Sequence, residues 1–110
     1  MKKVKVLVPN SIIMLLEADK TYVKKSMNRI HNNIVEYYLE NGLDIEKDDK
    51  KNDAQIQFYL YEHILDRYFK SMRENGYDNE SDFLRDIYYE YSKEAKENRI
   101  EILKRIKEKK

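Results

Sequence analysis

Apolar and polar residues alternate over residues 2–8, with Val4, Val6 and Val8 on one side of an extended chain and Lys3, Lys5 and Leu7 on the other. A period of two predicts a half-buried strand. Pro9 has no N–H to give to a ladder and closes the strand, and Asn10 or Ser11 is placed to cap a helix. Ile12, Ile13, Leu15, Leu16 and Val23 supply the apolar stripe of that helix, which the polar Lys24-Lys25-Ser26 stretch ends. Ser26 or Asn28 then caps a second helix, in which Ile30, Ile34, Val35, Tyr38 and Leu39 recur at helical spacing until Asn41-Gly42 stops it.

The same order returns from Gln55. Ile56, Phe58 and Leu60 alternate with Gln55, Gln57 and Tyr59; a helical stripe of Ile64, Leu65, Tyr68, Phe69 and Met72 runs to Asn75-Gly76. Asn79 or Ser81 caps the next helix, which holds Phe83, Leu84, Ile87, Tyr88 and Tyr91. Adding 52 carries Val4, Val6, Val8, Ile12 and Ile13 onto Ile56, Phe58, Leu60, Ile64 and Leu65. Adding 53 carries Asn28, Ile30, His31, Ile34, Val35 and Tyr38 onto Ser81, Phe83, Leu84, Ile87, Tyr88 and Tyr91, so the extra residue falls in the turn between helices. A strand with one apolar face is not stable alone, which makes the two units halves of one body.

The expected organisation is a first repeat over 1–43, a polar linker over 44–53, a second repeat over 54–91 and a basic helical extension over 92–110. The extension continues without a helix breaker, with Ile100, Leu103 and Ile106 three apart and Ile102 widening the stripe. It reads as a protruding helix for self-association or for contact with a polyanion backbone.

Composition narrows the function classes. With 110 residues, two glycines and one proline, the chain fits one mostly helical domain. The absence of cysteine excludes disulfides and thiolate metal sites, and an intracellular, cytoplasmic location is the expectation. The N-terminus makes a poor signal peptide, and no apolar run approaches the length that spans a membrane. Net charge is only +1, yet residues 1–43 hold seven Lys/Arg against four Asp/Glu, and residues 54–91 hold four against eight. Residues 92–110 hold eight against four, so a polyanion should prefer the two ends. His31 and His63 lack cysteine or close acidic partners, so neither metal nor cofactor is expected. No phosphate loop, cysteine nucleophile or serine elbow is present, and no enzyme is expected.

The strand Lys3-Val4-Lys5-Val6-Leu7-Val8, Pro9, and the Ser26-Met27-Asn28 start of the second helix resemble the ribbon-helix-helix (Arc/MetJ-type) DNA-binding fold. The Gly76-to-Asp86 segment is similar to the turn and second-helix start of that family, and the resemblance covers about residues 2–42 and 54–91. The chain resembles the tandem versions known among small regulators, including some from archaeal viruses, and a virus-encoded chain would act in a host cytoplasm. The resemblance implies a mainly α fold with a short two-stranded antiparallel ribbon, in which the repeats form an intramolecular pseudo-dimer. It also implies sequence-specific binding to double-stranded DNA as a transcription regulator, with repression the expected mode.

In such a fold Lys3, Lys5, Leu7, Gln55, Gln57 and Tyr59 would face the bases of the major groove. Lysine can donate to guanine and glutamine can pair with adenine. Lys2, Met27, Asn28 and Ser81 would meet phosphates, the last three at helix N-termini. Asp78, Glu80 and Asp82 crowd the second of those termini and compete with phosphate for it, so the halves should bind unequally and the site need not be a palindrome. The plainer readings are lysines that keep an edge strand from aggregating and glutamines on a wet face. The rival functions are an antitoxin that uses the same fold, and a helical protein-interaction module without affinity for DNA.

Overall fold

β1 (Lys2–Val8) and β2 (Ala54–Leu60) pair antiparallel in the computed structural model, which describes residues 1–44 and 52–104. Lys2 lies opposite Leu60, Lys5 opposite Gln57 and Val8 opposite Ala54. The alternation fixes the faces: Val4, Val6, Val8, Ile56, Phe58 and Leu60 are all buried beneath the ribbon. Each such side chain contributes roughly 1.5–3 kcal/mol on leaving water. A slip of one residue would carry the whole set outward, so the register is strongly specified.

The five helices of the described residues lie on one side of this ribbon. They are α1 (Asn10–Lys20), α2 (Met27–Asn41), α3 (Glu62–Glu74), α4 (Glu80–Lys93) and α5 (Lys96–Lys104). The packing crosses between the halves of the sequence. α4 lies along β1 and α2 along β2, while α2 also packs against α4 and α3, and α1 against α4. Ile30, Ile34, Phe83, Leu84, Ile87 and Tyr88 fill the centre with at most 1% exposure. The protein is therefore mainly helical, with one two-stranded antiparallel sheet.

The helix ends refine the expected caps. Ser26 caps α2 by accepting from the Arg29 N–H, and Asn79 caps α4 by accepting from the Asp82 N–H at 2.9 Å. α1 has no side-chain cap of its own: Pro9 occupies the cap position, and Asn10 is the first helical residue. The Asn10 N–H is satisfied from across the ribbon by Asp53 Oδ1 at 3.0 Å, because the pairing of Val8 with Ala54 brings Asp53 there. α1 also ends at Lys20, earlier than the apolar stripe suggested. Val23 is buried in the following turn, its N–H bonded to the Lys20 carbonyl. Gly42 and Gly76 close α2 and α3 with φ of 77° and 78°, where a side chain would be strained.

The expectation of one uninterrupted helix from Ser92 onward is corrected. α4 stops at Lys93, Glu94 is extended (ψ 152°), and α5 turns back onto α1 and α2. Ile102 and Leu103 are buried rather than presented to a partner, and Asn33 Nδ2 donates to the Leu103 carbonyl at 2.9 Å. Arg99 anchors the segment by donating to Asp19 at 2.8 Å, and Tyr91 donates to the same carboxylate. Burying Asp19 demands such partners, which pull α5 inward. Ile106 and most of the 44–53 linker lie outside the described residues.

Candidate nucleic-acid interface

The side chains left on the upper face of the ribbon are Lys3, Lys5 and Leu7 from β1 and Gln55, Gln57 and Tyr59 from β2, and all six are exposed. The register sets them in three cross-strand pairs: Lys3 with Tyr59, Lys5 with Gln57, and Leu7 with Gln55. Two strands make a ribbon narrow enough for the major groove of B-DNA, and this one is covered by helices on its lower face alone. Leu7 and Tyr59 are 46% and 47% exposed, although neighbouring apolar residues are almost fully covered.

A two-stranded ribbon has two open edges, and each is held by a helix from the other half of the sequence. On the β2 edge, the Tyr59 N–H donates to Asn28 Oδ1 at 2.7 Å and Asn28 Nδ2 donates back to the Tyr59 carbonyl at 3.1 Å. Asn32 adds a bond to the same carbonyl at 2.9 Å and accepts from the Tyr61 N–H at 2.8 Å. On the β1 edge, Arg85 Nε donates to the Leu7 carbonyl at 2.9 Å. These contacts fix the starts of α2 and α4 beside the ribbon, one on each edge.

Sequence reasoning missed Asn32 and Arg85, and it placed Asn28 among the phosphate contacts. The Asn28 side chain is committed to β2, so only its backbone N–H stands in the first turn of α2. Met27, at the first position of α2, and Ser81, in the first turn of α4, are both half-buried. Lys2 pairs with Glu80 across 3.5 Å, so its ammonium is shared with a carboxylate. The signal that would have found the two edge clamps was present: Asn32 and Arg85 are 53 apart, the same offset that carries Ile30 onto Phe83 and Ile34 onto Ile87.

Charge divides the two helix starts. The first turn of α2 holds no acidic residue, whereas α4 opens with Glu80 and Asp82. Glu80 accepts from the Tyr68 hydroxyl at 3.2 Å, and Asp82 pairs with Arg85 at 2.9 Å. Those carboxylates occupy the positive end of the α4 dipole and repel a phosphate, while the first turn of α2 carries no such negative charge. Arg29 is exposed in the first turn of α2, its guanidinium 6.0 Å from the Tyr61 ring centroid.

His31 supports the ribbon from below. Its ring stacks on Phe58 at 4.9 Å and shares a 2.7 Å hydrogen bond with the Tyr88 hydroxyl. Burial pushes its pKa down to about 4, so it is a neutral part of the core at physiological pH. Burial likewise raises the phenols of Tyr68, Tyr88 and Tyr91, which keeps them protonated. Five of the ten tyrosines are buried and belong to the core.

Comparison with protein-family models, with curated proteins and with solved structures finds no match. Among the described residues no cluster of three or more His, Cys, Asp or Glu is disposed to hold a metal ion, and no helix is long and apolar enough to cross a membrane.

Proposed function

We propose that this chain is a sequence-specific regulator of transcription, a repressor in its expected mode, that inserts its ribbon into the major groove of double-stranded DNA. The observation that carries the reading is the exposed upper face, where Lys3, Lys5, Gln55 and Gln57 stand together on a rigid, helix-backed ribbon. Lysine and glutamine are donors suited to the major-groove edges of guanine and adenine. The open start of α2 beside the ribbon suits a backbone phosphate, which would set the depth and angle of docking.

The reading includes two ribbon-helix-helix halves related by a pseudo-two-fold axis. The offset of 52 that aligns the strands makes Lys5 and Gln57 corresponding residues, and they face each other at the ribbon's midpoint, as such an axis requires. Leu7 and Tyr59 correspond by the same offset, and Asn32 and Arg85 by 53. Asn32 holds the Tyr59 carbonyl and Arg85 holds the Leu7 carbonyl, each at 2.9 Å. The caps Ser26 and Asn79 also correspond. Contacts that repeat at offsets of 52 in the strands and 53 in the helices and caps support an internal duplication.

Titrating affinity for mixed-sequence duplexes against salt tests the proposal. Lys3 and Lys5 on the upper face and Arg29 in the first turn of α2 are exposed cations beside the proposed path of the DNA. Counterion release at even two phosphate contacts should lower affinity roughly tenfold between about 50 and 200 mM salt. Absence of duplex binding at low salt, or binding indifferent to salt, would reject the proposal.

A further inference from the structure

The upper face of the ribbon has unlike ends. At one end Lys3 stands opposite Tyr59; at the other Leu7 stands opposite Gln55, and neither residue of that second pair carries charge. Arg85 reaches Leu7, but its guanidinium is tied to the Leu7 carbonyl and to Asp82. The polarity follows from register: corresponding positions 3 and 55 carry lysine and glutamine, and antiparallel pairing sends them to opposite ends.

Resting on the proposed function, we infer that the ribbon reads a non-palindromic site in one orientation, with a guanine under the Lys3 end and an adenine–thymine pair under the Leu7 end. Lys3 donates to guanine O6 and N7. At the other end Gln55 pairs with adenine N6 and N7, and Leu7 packs on the thymine methyl group. Strand rise separates Lys3 from Leu7 by about 13 Å, which is about four base-pair steps. A ribbon of two identical strands presents the same residue at both ends and reads a palindrome. Turning this protein around on its site would instead put lysine over adenine–thymine and leucine over guanine. Lys3 and Gln55 are thereby the residues that set specificity and direction.

The test is selection of bound duplexes from a random library by the full chain, with direction read by a cleavage reagent. The chain has no cysteine, so Lys24→Cys on the exposed turn before α2 gives a single attachment point in the first half. The expected consensus carries guanine at one end, adenine–thymine about four steps away, and cleavage to one side only. Replacing the guanine should lower affinity roughly tenfold. The exchange variant Lys3→Gln with Gln55→Lys alters only exposed positions and should melt like the wild type. In it the guanine should move to the opposite end relative to the cleavage mark. A palindromic wild-type consensus, equal cleavage on both sides, or an exchange variant with the original consensus would overturn the inference while leaving DNA binding intact. If no duplex is enriched at low salt, the proposed function fails, and the inference with it.

Discussion

Lys5 stands directly opposite Gln57 at the middle of the ribbon, and both side chains point away from the helices. Neither takes part in the buried contacts beneath, so the outer face can be altered without touching the fold.

Lys5→Ala should therefore lower affinity for the selected site by about tenfold while moving the melting temperature by no more than a degree or two. Fluorescence anisotropy with a labelled duplex and a thermal melt check the two halves of this expectation. Unchanged affinity would remove Lys5 from the interface.

Val6→Lys should unfold the protein. Val6 is 2% exposed and lies under the ribbon opposite Ile56. An unpaired buried ammonium costs several kcal/mol, comparable to the roughly 5–15 kcal/mol that holds a small domain together. Circular dichroism at 25 °C should show lost helix; a wild-type melt would mean that the assigned faces are reversed.

Arg99→Met should destabilise the fold by about 3 kcal/mol, since it strands the buried Asp19 carboxylate without a cation. Adding Asp19→Leu to that variant should restore part of the loss. Denaturant melts of both single variants and the double variant give the coupling. A coupling near zero would show that α5 is held by its apolar contacts alone.

Stability should fall as the solution is acidified through the range set by His31. Its folded pKa of about 4 lies below the usual value of 6.5, so the unfolded chain binds the proton first. The contribution is intact above pH 6.5, declines as pH falls from there, and is fully lost by about pH 4, on the order of 3 kcal/mol in all. His31→Gln keeps a polar partner for Tyr88 and should flatten this part of the profile. Parallel acid slopes for the two proteins would assign the loss to other groups.

Much of this architecture is legible in the chain because it rests on local periodicity. The alternation of Val4, Val6 and Val8, and of Ile56, Phe58 and Leu60, gives both strands and their buried faces. Ser26 and Asn79 mark helix starts by the chemistry of their side chains. What escapes such reading depends on partners far apart along the chain. Nothing near Asp19 announces Arg99, 80 residues on, and the turn at Glu94 has neither glycine nor proline to signal it. The outward set Lys3, Lys5, Leu7, Gln55, Gln57 and Tyr59 follows from the pleat alone. Asn28 shows the limit: a polar residue at a helix start reads as an anion ligand until the open strand beside it is seen to need it.

Because β1 and β2 belong to one polypeptide, their pairing is unimolecular. Dilution cannot take the ribbon apart, and no equilibrium between lone and joined subunits stands between synthesis and a finished ribbon. At a few copies per cell each molecule would be as well assembled as at a thousand. Each half is also free to change its residues without the other having to follow, a freedom denied to subunits encoded by one shared copy.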